Sequence, residues 1–270
     1  MNWKEKVVIV TGASSGIGKA YAEAFAAAGA AVVMAARNAE AMEAIRSDLE
    51  QKGTRTLVVK ADVSLEEDCR MLVEKTLEAF GRIDILVNNA GISMRSLLEE
   101  TDLSVIRRLM DVNFWGMVYC TKYALPHLLA SRGSVVSISS IAGYKGLPAR
   151  SGYSASKFAM QGFMESLRIE NLKKGLHVLI VCPGFTASNI RNVALKGDGS
   201  AQGETPRDEA RMMQPEEVAA CTLRAIARRK NTLILTGQGK MTVLLNKFFP
   251  KFMDKMVYNT MAKEPDSPFK

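Results

Sequence analysis

The sequence predicts an α/β fold: a single domain built on an open, doubly wound parallel sheet of about seven strands, with helices on both faces. Two observations predict it. Short apolar, β-branched runs alternate with longer helical segments throughout residues 6–184, as expected of right-handed β-α-β units. Several runs are apolar at every position, as strands covered by helices on both faces must be. A chain of 270 residues is long enough to bury one large core of this kind.

The predicted elements follow in a regular order. Strands are expected at 6–10, 30–36, 55–62, 83–91, 133–140, 176–184 and 232–237, and helices at 17–28, 39–52, 65–79, 101–130 and 153–173, with one more helix beginning at Pro215. These elements define a domain over residues 1–237. Within it, residues 187–214 are polar and glycine-rich, which predicts a mobile substrate loop. Residues 238–270 form a basic and apolar C-terminal extension.

Composition excludes several classes of protein. The four cysteines are widely separated, and neither histidine has a carboxylate or cysteine at ligand spacing, so neither a disulfide framework nor a metal site is expected. No apolar run of about eighteen residues and no signal peptide is visible, which predicts a cytoplasmic protein without a transmembrane helix. The net charge of +8 suits nucleic acid, phosphate-bearing cofactors or anionic membranes. No nucleic-acid-binding motif accompanies it.

The segment TGASSGIG at 11–18 predicts a dinucleotide-binding turn. It follows the first strand and opens the first helix, where successive glycines allow a tight turn, close approach of a pyrophosphate, and packing of helix on sheet. The free N–H groups at the helix N-terminus attract that anion. The sheet is therefore expected to be a Rossmann fold. The expected cofactor contacts in this turn are Gly12, Ser14, Ser15, Gly16, Ile17 and Gly18.

The end of the second strand predicts which dinucleotide binds. The sequence MAARN has Ala36 where NAD-binding proteins usually place an acid, and Arg37 follows it. An arginine without a competing carboxylate suits the 2′-phosphate of NADP, with Asn38 and Ser15 as supporting donors. We therefore expect NADP(H) as the cofactor, with NADPH preferred over NADH.

Six motifs in order give the chain a resemblance to a known family. They are TGASSGIG, NNAG at 88–91, Asn113 in DVNFWG, SISS at 137–140, YSASK at 153–157 and PGFTAS at 183–188. Over residues 6–237 the chain resembles the short-chain dehydrogenase/reductase family. The resemblance implies an oxidoreductase that transfers hydride between a nicotinamide cofactor and a carbonyl or alcohol. It also implies a homodimer or homotetramer formed through the helices at 101–130 and 153–173.

The resemblance implies four catalytic residues. Tyr153 matches the family's proton donor, and Ser140 matches the serine that hydrogen-bonds the substrate oxygen, with neighbouring Ser139 pointing the other way. Lys157 matches the lysine that binds the nicotinamide ribose, and Asn113 matches the asparagine that holds a water. Lys157 lies one helical turn after Tyr153, and an ammonium at ~4 Å lowers the pKa of a phenol by about three units at an effective dielectric near ~20. We therefore expect Lys157 to lower the pKa of Tyr153.

The same resemblance implies further cofactor contacts, in addition to Tyr153 and Lys157. The adenine ring, the ribose and the carboxamide are each expected to meet one group of residues. These groups are Asp62 and Val63, then Asn89, Ala90 and Gly91, and then Pro183, Gly184, Thr186 and Ser188.

The substrate side is predicted to be apolar. The expected lining residues are Ile190, Val193, Leu195, Met212 and Met213 from the loop, with Ile92, Met94, Leu97, Ile141, Tyr144 and Leu147 opposite. Their lack of charge favours a lipophilic carbonyl substrate such as a steroid, a long-chain ketone or 3-ketosphinganine. One alternative is a 3-oxoacyl-carrier-protein reductase, for which Arg95, Arg107, Arg108 and Arg150 supply a basic patch. Another is a regulator that binds NADP without turnover.

Residues 240–261 interleave apolar side chains with lysines. One interpretation is a helix that lies in a membrane interface and collects lipid-soluble substrate. The other is a helix that packs over the substrate pocket or against a partner subunit, with its lysines pointing outward. The length of this extension resembles that of lipid-acting members of the family, such as the 11-beta-hydroxysteroid and 3-ketosphinganine groups.

Overall fold

The computed structural model describes residues 2–203, 212–264 and 267–269. Its strands are β1 (Val7–Thr11), β2 (Ala31–Ala36), β3 (Thr56–Lys60), β4 (Ile85–Asn88), β5 (Ser134–Ile138), β6 (His177–Cys182) and β7 (Thr232–Ile234). They form one parallel sheet in the order β3-β2-β1-β4-β5-β6-β7. The order reverses between β1 and β4, which opens a crevice at the carboxyl ends of the strands. The predicted doubly wound α/β fold is confirmed.

Seven helices connect the strands of the described chain, and two more follow β7. They are α1 (Gly16–Ala27), α2 (Ala39–Gln51), α3 (Glu66–Phe80), α4 (Leu103–Leu109), α5 (Gly116–Ala130), α6 (Ser151–Glu170), α7 (Pro215–Ala227), α8 (Gly237–Phe248) and α9 (Pro250–Met261). The single helix expected at 101–130 is divided, because one π-helical turn at Met110–Trp115 separates α4 from α5. Such turns are frequent at functional sites.

Helices cover the sheet on both faces. Alternate residues of β1 enter different cores, since successive strand side chains point to opposite faces. Val8 and Val10 pack with Phe25 of α1, whereas Ile9 packs in the core that contains Leu72 of α3. The strands are therefore apolar on both sides, as the sequence predicted.

One buried carboxylate, Asp84, joins the amino-terminal ends of β1 and β4. It accepts hydrogen bonds from the Val7 N–H at 3.0 Å, from Lys6 Nζ at 2.9 Å, and from Arg82 Nε at 2.8 Å. Burial alone would raise the pKa of Asp84, but these hydrogen bonds outweigh it and the pKa is lowered. These ends lie opposite the crevice.

The predicted substrate loop is tied to the rest of the domain over its first half. Leu195 donates its N–H to the Ser93 carbonyl at 2.9 Å and accepts the Arg95 N–H at 2.8 Å. This part of residues 187–203 thus lies against the chain that follows β4. Residues 204–211 of the predicted loop lie outside the described residues.

The C-terminal extension forms two helices, and the single helix expected over 240–261 is wrong. Pro250 cannot continue α8 because it lacks an N–H, and it begins α9 instead. Thr236 starts the extension with φ 68° and ψ 146°, and its hydroxyl caps α8 by accepting the Gly239 N–H at 3.0 Å. A Cβ on Gly184 would lie 2.9 Å from Thr236 Cγ2, so this corner is tightly packed. No helix among the described residues has the length and apolar character to span a membrane.

Candidate active site

Three glycines shape the turn between β1 and α1. Gly12 and Gly16 have positive φ angles of 67° and 52°, which glycine adopts without strain. A Cβ on Gly18 would lie 2.0 Å from the Gly12 carbonyl oxygen, and a Cβ on Gly12 would lie 2.8 Å from Ala90 Cα. Ser15, the N-cap of α1, makes no side-chain capping bond, so the first-turn N–H groups remain open to a phosphate. This cradle fits a pyrophosphate.

Hydrogen bonds join the carboxyl ends of β1 and β4 beside this turn. Thr11 Oγ1 accepts the N–H groups of Asn89 and Ala90 at 3.0 and 3.1 Å. The Asn89 side-chain amide donates to the Thr11 carbonyl at 2.9 Å. Asn89, Ala90 and Gly91 thereby line the same cleft as the glycines. The sequence analysis did not single out Thr11, although its hydroxyl stands directly before Gly12 at the end of a strand.

Arg37 lies just beyond β2 on the rim of this cleft. Its Nη1 is 4.0 Å from Asp62 Oδ2, so the expectation that no carboxylate competes for Arg37 is wrong. Its side chain is nevertheless 62% exposed, and Asp62 is also engaged by Ser64, whose N–H and hydroxyl donate to Oδ1 at 3.0 and 2.7 Å. Asn38 caps α2 by accepting the Ala41 N–H at 3.0 Å. The guanidinium and the Asn38 amide nitrogen therefore remain as donors on the cleft rim.

Tyr153 and Ser140 meet where α6 approaches the end of β5. Ser140 follows that strand and caps the 3-10 turn Ile141–Gly143, and Tyr153 lies in the first turn of α6. Ser140 lies close enough to the Tyr153 hydroxyl to favour a lower pKa of the phenol. Ser139 has the opposite orientation, because its hydroxyl donates to the Lys157 carbonyl at 3.4 Å. Ser140 is thus the serine that contacts the phenol.

Lys157 is buried one helical turn after Tyr153. Its Nζ donates to the Ile138 carbonyl at 2.8 Å and lies 5.6 Å from the centroid of the Tyr153 ring. A Cβ on Gly91 would lie 3.6 Å from the same Nζ. The amine therefore lies near both the phenol and the cleft that Gly91 lines.

Asn113 lies in the π-helical turn, and its side-chain amide bonds to protein groups. Its Oδ1 accepts the Ile92 N–H at 2.8 Å, and its Nδ2 donates to the Ile92 carbonyl at 3.0 Å and to Ser156 Oγ at 2.9 Å. These bonds tie the π-helical turn to the chain after β4 and to α6. The role of holding a water stays a prediction.

Burial determines the direction in which the two catalytic pKa values shift. Burial raises the pKa of Tyr153, and the hydrogen bond with Ser140 and the charge of Arg150 offset this only in part. Burial lowers the pKa of Lys157 to about 8. The expectation that Lys157 acidifies Tyr153 is wrong for the protein's own groups. Arg150 is the cation that acts on Tyr153 in this way, and the sequence analysis had not associated the two.

Two cavities adjoin Tyr153. The first, of about 530 Å³, is the cleft of the glycine turn, and its lining includes Arg37, Asn38, Asp62, Val63, Arg108, Val112 and Ser188. The second, of about 500 Å³, is lined by Ser140, Ile141, Ala142, Leu147, Pro183, Gly184, Phe185, Met212, Met213 and residues of α8 and α9. The Tyr153 ring packs against the small core that contains Ile92 and Leu195 of the first cavity, while Ser140, which acts on the pKa of its hydroxyl, lines the second. The phenol therefore joins the two.

The expected carboxamide-binding residues divide between these cavities. Ser188 lines the first, and a Cβ on Gly16 would lie 3.3 Å from its Cβ. Pro183 and Gly184 line the second. Thr186 is buried, and its hydroxyl donates to the Gly184 carbonyl at 3.3 Å.

The prediction of the apolar lining is partly wrong. Met212, Met213, Ile141 and Leu147 line the second cavity as expected. Ile92, Ile190, Val193 and Leu195 line the first instead, because Leu195 is bonded to the chain after β4. Met94 is buried in a small core with Leu109. The extension also lines the second cavity, as in the interpretation in which it packs over a pocket. Its lining residues are Gln238, Gly239, Thr242, Met256, Val257, Thr260 and Met261.

The predicted basic patch is also altered by the extension. Glu264 is buried, with one carboxylate oxygen 3.5 Å from Arg150 and 3.7 Å from Arg95. Arg107 and Arg108 remain exposed on α4. Half of the patch expected for an acidic carrier protein is therefore engaged within the chain.

The chain is similar in sequence to proteins of one known family. The family model described as short chain dehydrogenase matches residues 6–198. The 11-beta-hydroxysteroid dehydrogenase A of Arachis hypogaea is 37% identical, over 97% of this chain and 78% of that protein. Dehydrogenase/reductase SDR family member 7B of Xenopus laevis is 39% identical, over 86% of this chain and 74% of that protein.

Two solved structures share the fold. A short chain dehydrogenase/reductase from Burkholderia phymatum in complex with NAD superposes with a TM-score of 0.83 at 25% identity, covering 93% of this chain and 96% of that one. An alcohol dehydrogenase from Thermococcus sibiricus complexed with 5-hydroxy-NADP gives a TM-score of 0.73 at 27% identity, covering 85% and 95%. Nicotinamide cofactors of both kinds thus occur among structures similar to this chain.

Proposed function

This chain belongs to the short-chain dehydrogenase/reductase family, and from that premise we propose that it is an NADP(H)-dependent reductase of lipophilic ketones, or the corresponding alcohol dehydrogenase. Its family acts on CH–OH and C=O groups with nicotinamide cofactors. The observation that carries the proposal is the position of Tyr153. Its ring packs on the small core that contains Ile92 and Leu195 of the cofactor cleft, and its hydroxyl lies near Ser140, which lines the apolar cavity.

In this proposal the chain's own groups handle the proton and hold the substrate oxygen. Ser140 donates a hydrogen bond to the carbonyl oxygen, and Tyr153 donates its phenolic proton to the same oxygen as general acid. The bound cofactor supplies the hydride that adds to the carbonyl carbon. Lys157 holds the ribose hydroxyls, and the charge of Arg150 favours the phenolate that remains. Asn113 fixes α6 through Ser156 and holds the water that returns the proton.

NADP(H) is the proposed cofactor because Arg37 is exposed on the cleft rim while Asp62 is engaged by Ser64. The pyrophosphate would lie on Gly12, Ser14, Ser15, Gly16 and Ile17, with Gly18 packing α1 behind it. The other proposed contacts are Asn38, Val63, Asn89, Ala90, Gly91, Pro183, Gly184, Thr186 and Ser188.

Cofactor affinities measured by titrating intrinsic fluorescence test this choice. Arg37→Ser should weaken NADPH binding by about tenfold to a hundredfold and leave NADH within about threefold, because only NADPH carries the 2′-phosphate. Arg46→Ser on the exposed face of α2 is the matched control. An unmutated protein that binds NADH more tightly than NADPH would contradict the proposal.

The substrate is proposed to be a steroid or a comparably apolar ketone. The second cavity is lined mainly by apolar side chains, and the relative from Arachis hypogaea is named for a steroid substrate. A panel of steroid, long-chain and 3-ketosphinganine-like ketones, with cyclohexanone as a small control, should show kcat/KM rising with apolar area, since each buried methylene contributes about 0.8 kcal/mol. Equal kcat/KM for all members would contradict an apolar pocket.

The two alternative functions have less support. A 3-oxoacyl-carrier-protein reductase would use Arg95 and Arg150 at the pocket mouth, but both contact Glu264. Faster reduction of a ketoacyl thioester than of any free ketone would favour it. A regulator that senses NADP without turnover has no need of Tyr153, Ser140 and Lys157, all of which are present. It would gain support if Tyr153→Phe left the biological effect unchanged.

A second copy of the chain is proposed to cover α5 and α6. Trp115, directly before α5, and Phe158 on α6 are 44% and 47% exposed. Trp115 stacks on Tyr119 of α5 with ring centroids 5.6 Å apart. Light scattering should give the mass of a dimer or tetramer, and Phe158→Lys should lower it because a charge would enter the apolar interface. A monomeric unmutated protein would contradict this proposal.

The outer face of the extension is proposed to contact a membrane surface. Phe248, Phe249 and Phe252 are each more than half exposed, and Lys240, Lys247, Lys251 and Lys255 are exposed beside them. This combination favours anionic lipid. The protein should sediment with anionic vesicles more than with neutral ones, and Phe248→Ser with Phe252→Ser should abolish the difference. Equal sedimentation of the double variant and the unmutated protein would contradict membrane contact.

A further inference from the structure

Among the described residues, three polar contacts hold the extension on the domain, and all three use the same short segment. Asn246 Nδ2 donates to the Tyr144 carbonyl at 3.0 Å, and Asp254 forms an ion pair with the largely buried Lys145. Glu264 meets Arg150 and Arg95. Tyr144, Lys145 and Arg150 all lie between Ser140 and Tyr153 in the sequence. The extension is therefore attached to the chain that connects the two proposed catalytic groups.

The Glu264 contact is the most buried of the three. The side chains of Glu264, Arg95 and Arg150 are 5%, 11% and 12% exposed. A carboxylate is stable at such a depth only where cations or hydrogen bonds compensate its lost hydration. Lys145 and Asp254 form a weaker anchor, because the Asp254 side chain is 67% exposed and solvent screens it.

The backbone beside the arginines is constrained as well. Ala149 has φ 57°, a conformation that costs an alanine strain. The Ser96 N–H donates to the Ala149 carbonyl at 2.9 Å. This bond joins the residue next to Arg95 to the residue before Arg150, so both guanidinium groups reach one carboxylate. The cluster of Glu264, Arg95 and Arg150 is called the Glu264 clasp below.

Glu264 of the clasp lies three residues beyond the end of α9. The inner face of α9 lines the second cavity. Met256, Val257, Thr260 and Met261 form this wall, and the opposite wall comes from Ser140, Pro183 and Gly184. The position of α9 therefore decides how far the cavity extends from the Tyr153 hydroxyl.

We propose that Glu264 is a positioning and specificity-determining residue: by clasping Arg95 and Arg150, it fixes α9 as the far wall of the substrate cavity and sets the length of apolar chain that the cavity accepts. This inference rests on the proposed ketone reductase activity. Groups near the carbonyl contact Ser140 and Tyr153 rather than α9. The far part of a long substrate contacts α9, so its binding depends on the clasp.

The test compares Glu264→Gln with Glu264→Asp as the conservative variant and Glu78→Gln, on the exposed face of α3, as the charge control. With a long-chain aliphatic ketone, Glu264→Gln should lower kcat/KM by about tenfold or more, chiefly through KM. With cyclohexanone the change should stay within about threefold. Glu264→Asp should recover most of the loss. Equal losses for both ketones, or a loss in kcat alone, would overturn the proposal.

Hydrogen exchange gives a readout that does not need turnover. In Glu264→Gln, amides of α9 should exchange about tenfold faster, while those of α1 and β1 keep their rates. Unchanged exchange in α9 would overturn the clasp. Faster exchange throughout the chain would also overturn it, because Glu264 would then support the whole fold. If the unmutated protein reduces neither ketone, the proposed function fails, and the exchange result still decides whether the clasp holds α9.

Discussion

The two cavities beside Tyr153 are built in different ways. The cofactor cleft is assembled mainly from strand ends and the turns directly after them: Thr11 and the glycines after β1, Arg37 after β2, Asp62 after β3 and Asn89 after β4. The substrate cavity combines the turn after β5, the segment after β6, and two helices that begin after β7. The first is a property of the sheet, whereas the second depends on chain added to the sheet. We therefore expect cofactor binding and substrate selection to respond to different substitutions.

Tyr153→Phe should have the largest effect on activity, because this residue lies between the cofactor cleft and the second cavity. We expect kcat to fall by about 10³-fold or more, since no other group can supply the proton directly. The cofactor Kd should change by less than about threefold, because the phenyl ring keeps its packing against Ile92 and Leu195. Ketone-dependent NADPH oxidation and a fluorescence titration measure the two quantities. A large loss of cofactor affinity would show that Tyr153 shapes the cleft itself.

Gly18→Ala should weaken cofactor binding without altering the second cavity. The new Cβ would lie 2.0 Å from the Gly12 carbonyl oxygen, so the turn must shift, and we expect NADPH affinity to fall by about tenfold or more with a loss of about 1–3 kcal/mol in unfolding free energy. Gly162→Ala in α6 is the control, because its Cβ meets nothing within 4 Å and should stabilise the protein by about 0.5–1 kcal/mol. Urea unfolding and NADPH titration check both. Similar behaviour of the two variants would contradict this account.

Asp84→Asn should affect the fold and neither cavity. The lost charge-assisted hydrogen bonds should lower the unfolding free energy by about 2 kcal/mol at neutral pH, with kcat within about twofold. Because the pKa of Asp84 is lowered in the folded protein, its contribution is present above the unfolded value near ~3.9 and is lost as pH falls through the folded value. Urea unfolding of both proteins from neutral to acidic pH measures this. A difference that persisted at the lowest pH would contradict the assignment.

Lys157→Met should change how the unfolding free energy depends on pH, within a defined pH range. Burial lowers the pKa of Lys157 to about 8, so between that pH and the unfolded value near ~10.4 the unfolded chain holds a proton that the folded protein lacks. The stability of the unmutated protein should therefore rise with pH relative to the variant, by about 2–3 kcal/mol. Unfolding at several pH values from neutral to ~10 measures the difference. A difference that falls over this window would mean that Lys157 stays charged.

The contrast between the cavities also explains how far the sequence could be interpreted. The glycine turn, the strand ends and the Tyr153–Lys157 spacing are local patterns, so the fold and the residues of the cofactor cleft could be predicted from short segments. The second cavity could be predicted only in part: Met212, Met213, Ile141 and Leu147 line it as expected, but its remaining walls come from segments that approach only through tertiary packing. Nothing local in the sequence indicates that Leu195 pairs beside Ser93, or that Glu264 meets Arg95 and Arg150.

Two errors at the predicted site have physical causes that only three dimensions show. Spacing places Lys157 and Tyr153 on one helix face, but it does not report their burial, which raises the pKa of the phenol. Position after β2 identifies Arg37, but it does not report that Asp62 of the neighbouring strand comes within 4.0 Å. In both cases the surroundings changed the electrostatics of a correctly located residue.

Thr236 joins the sheet to the extension that follows β7. It holds a backbone angle that few side-chain-bearing residues tolerate, and it presses against Gly184, one of the proposed carboxamide contacts. A residue inserted or deleted here would displace the nicotinamide side and the substrate wall together. Drift towards new substrates is therefore expected to accumulate further along the extension, where a change in α9 alters the molecules accepted and leaves the hydride-transfer geometry as it was.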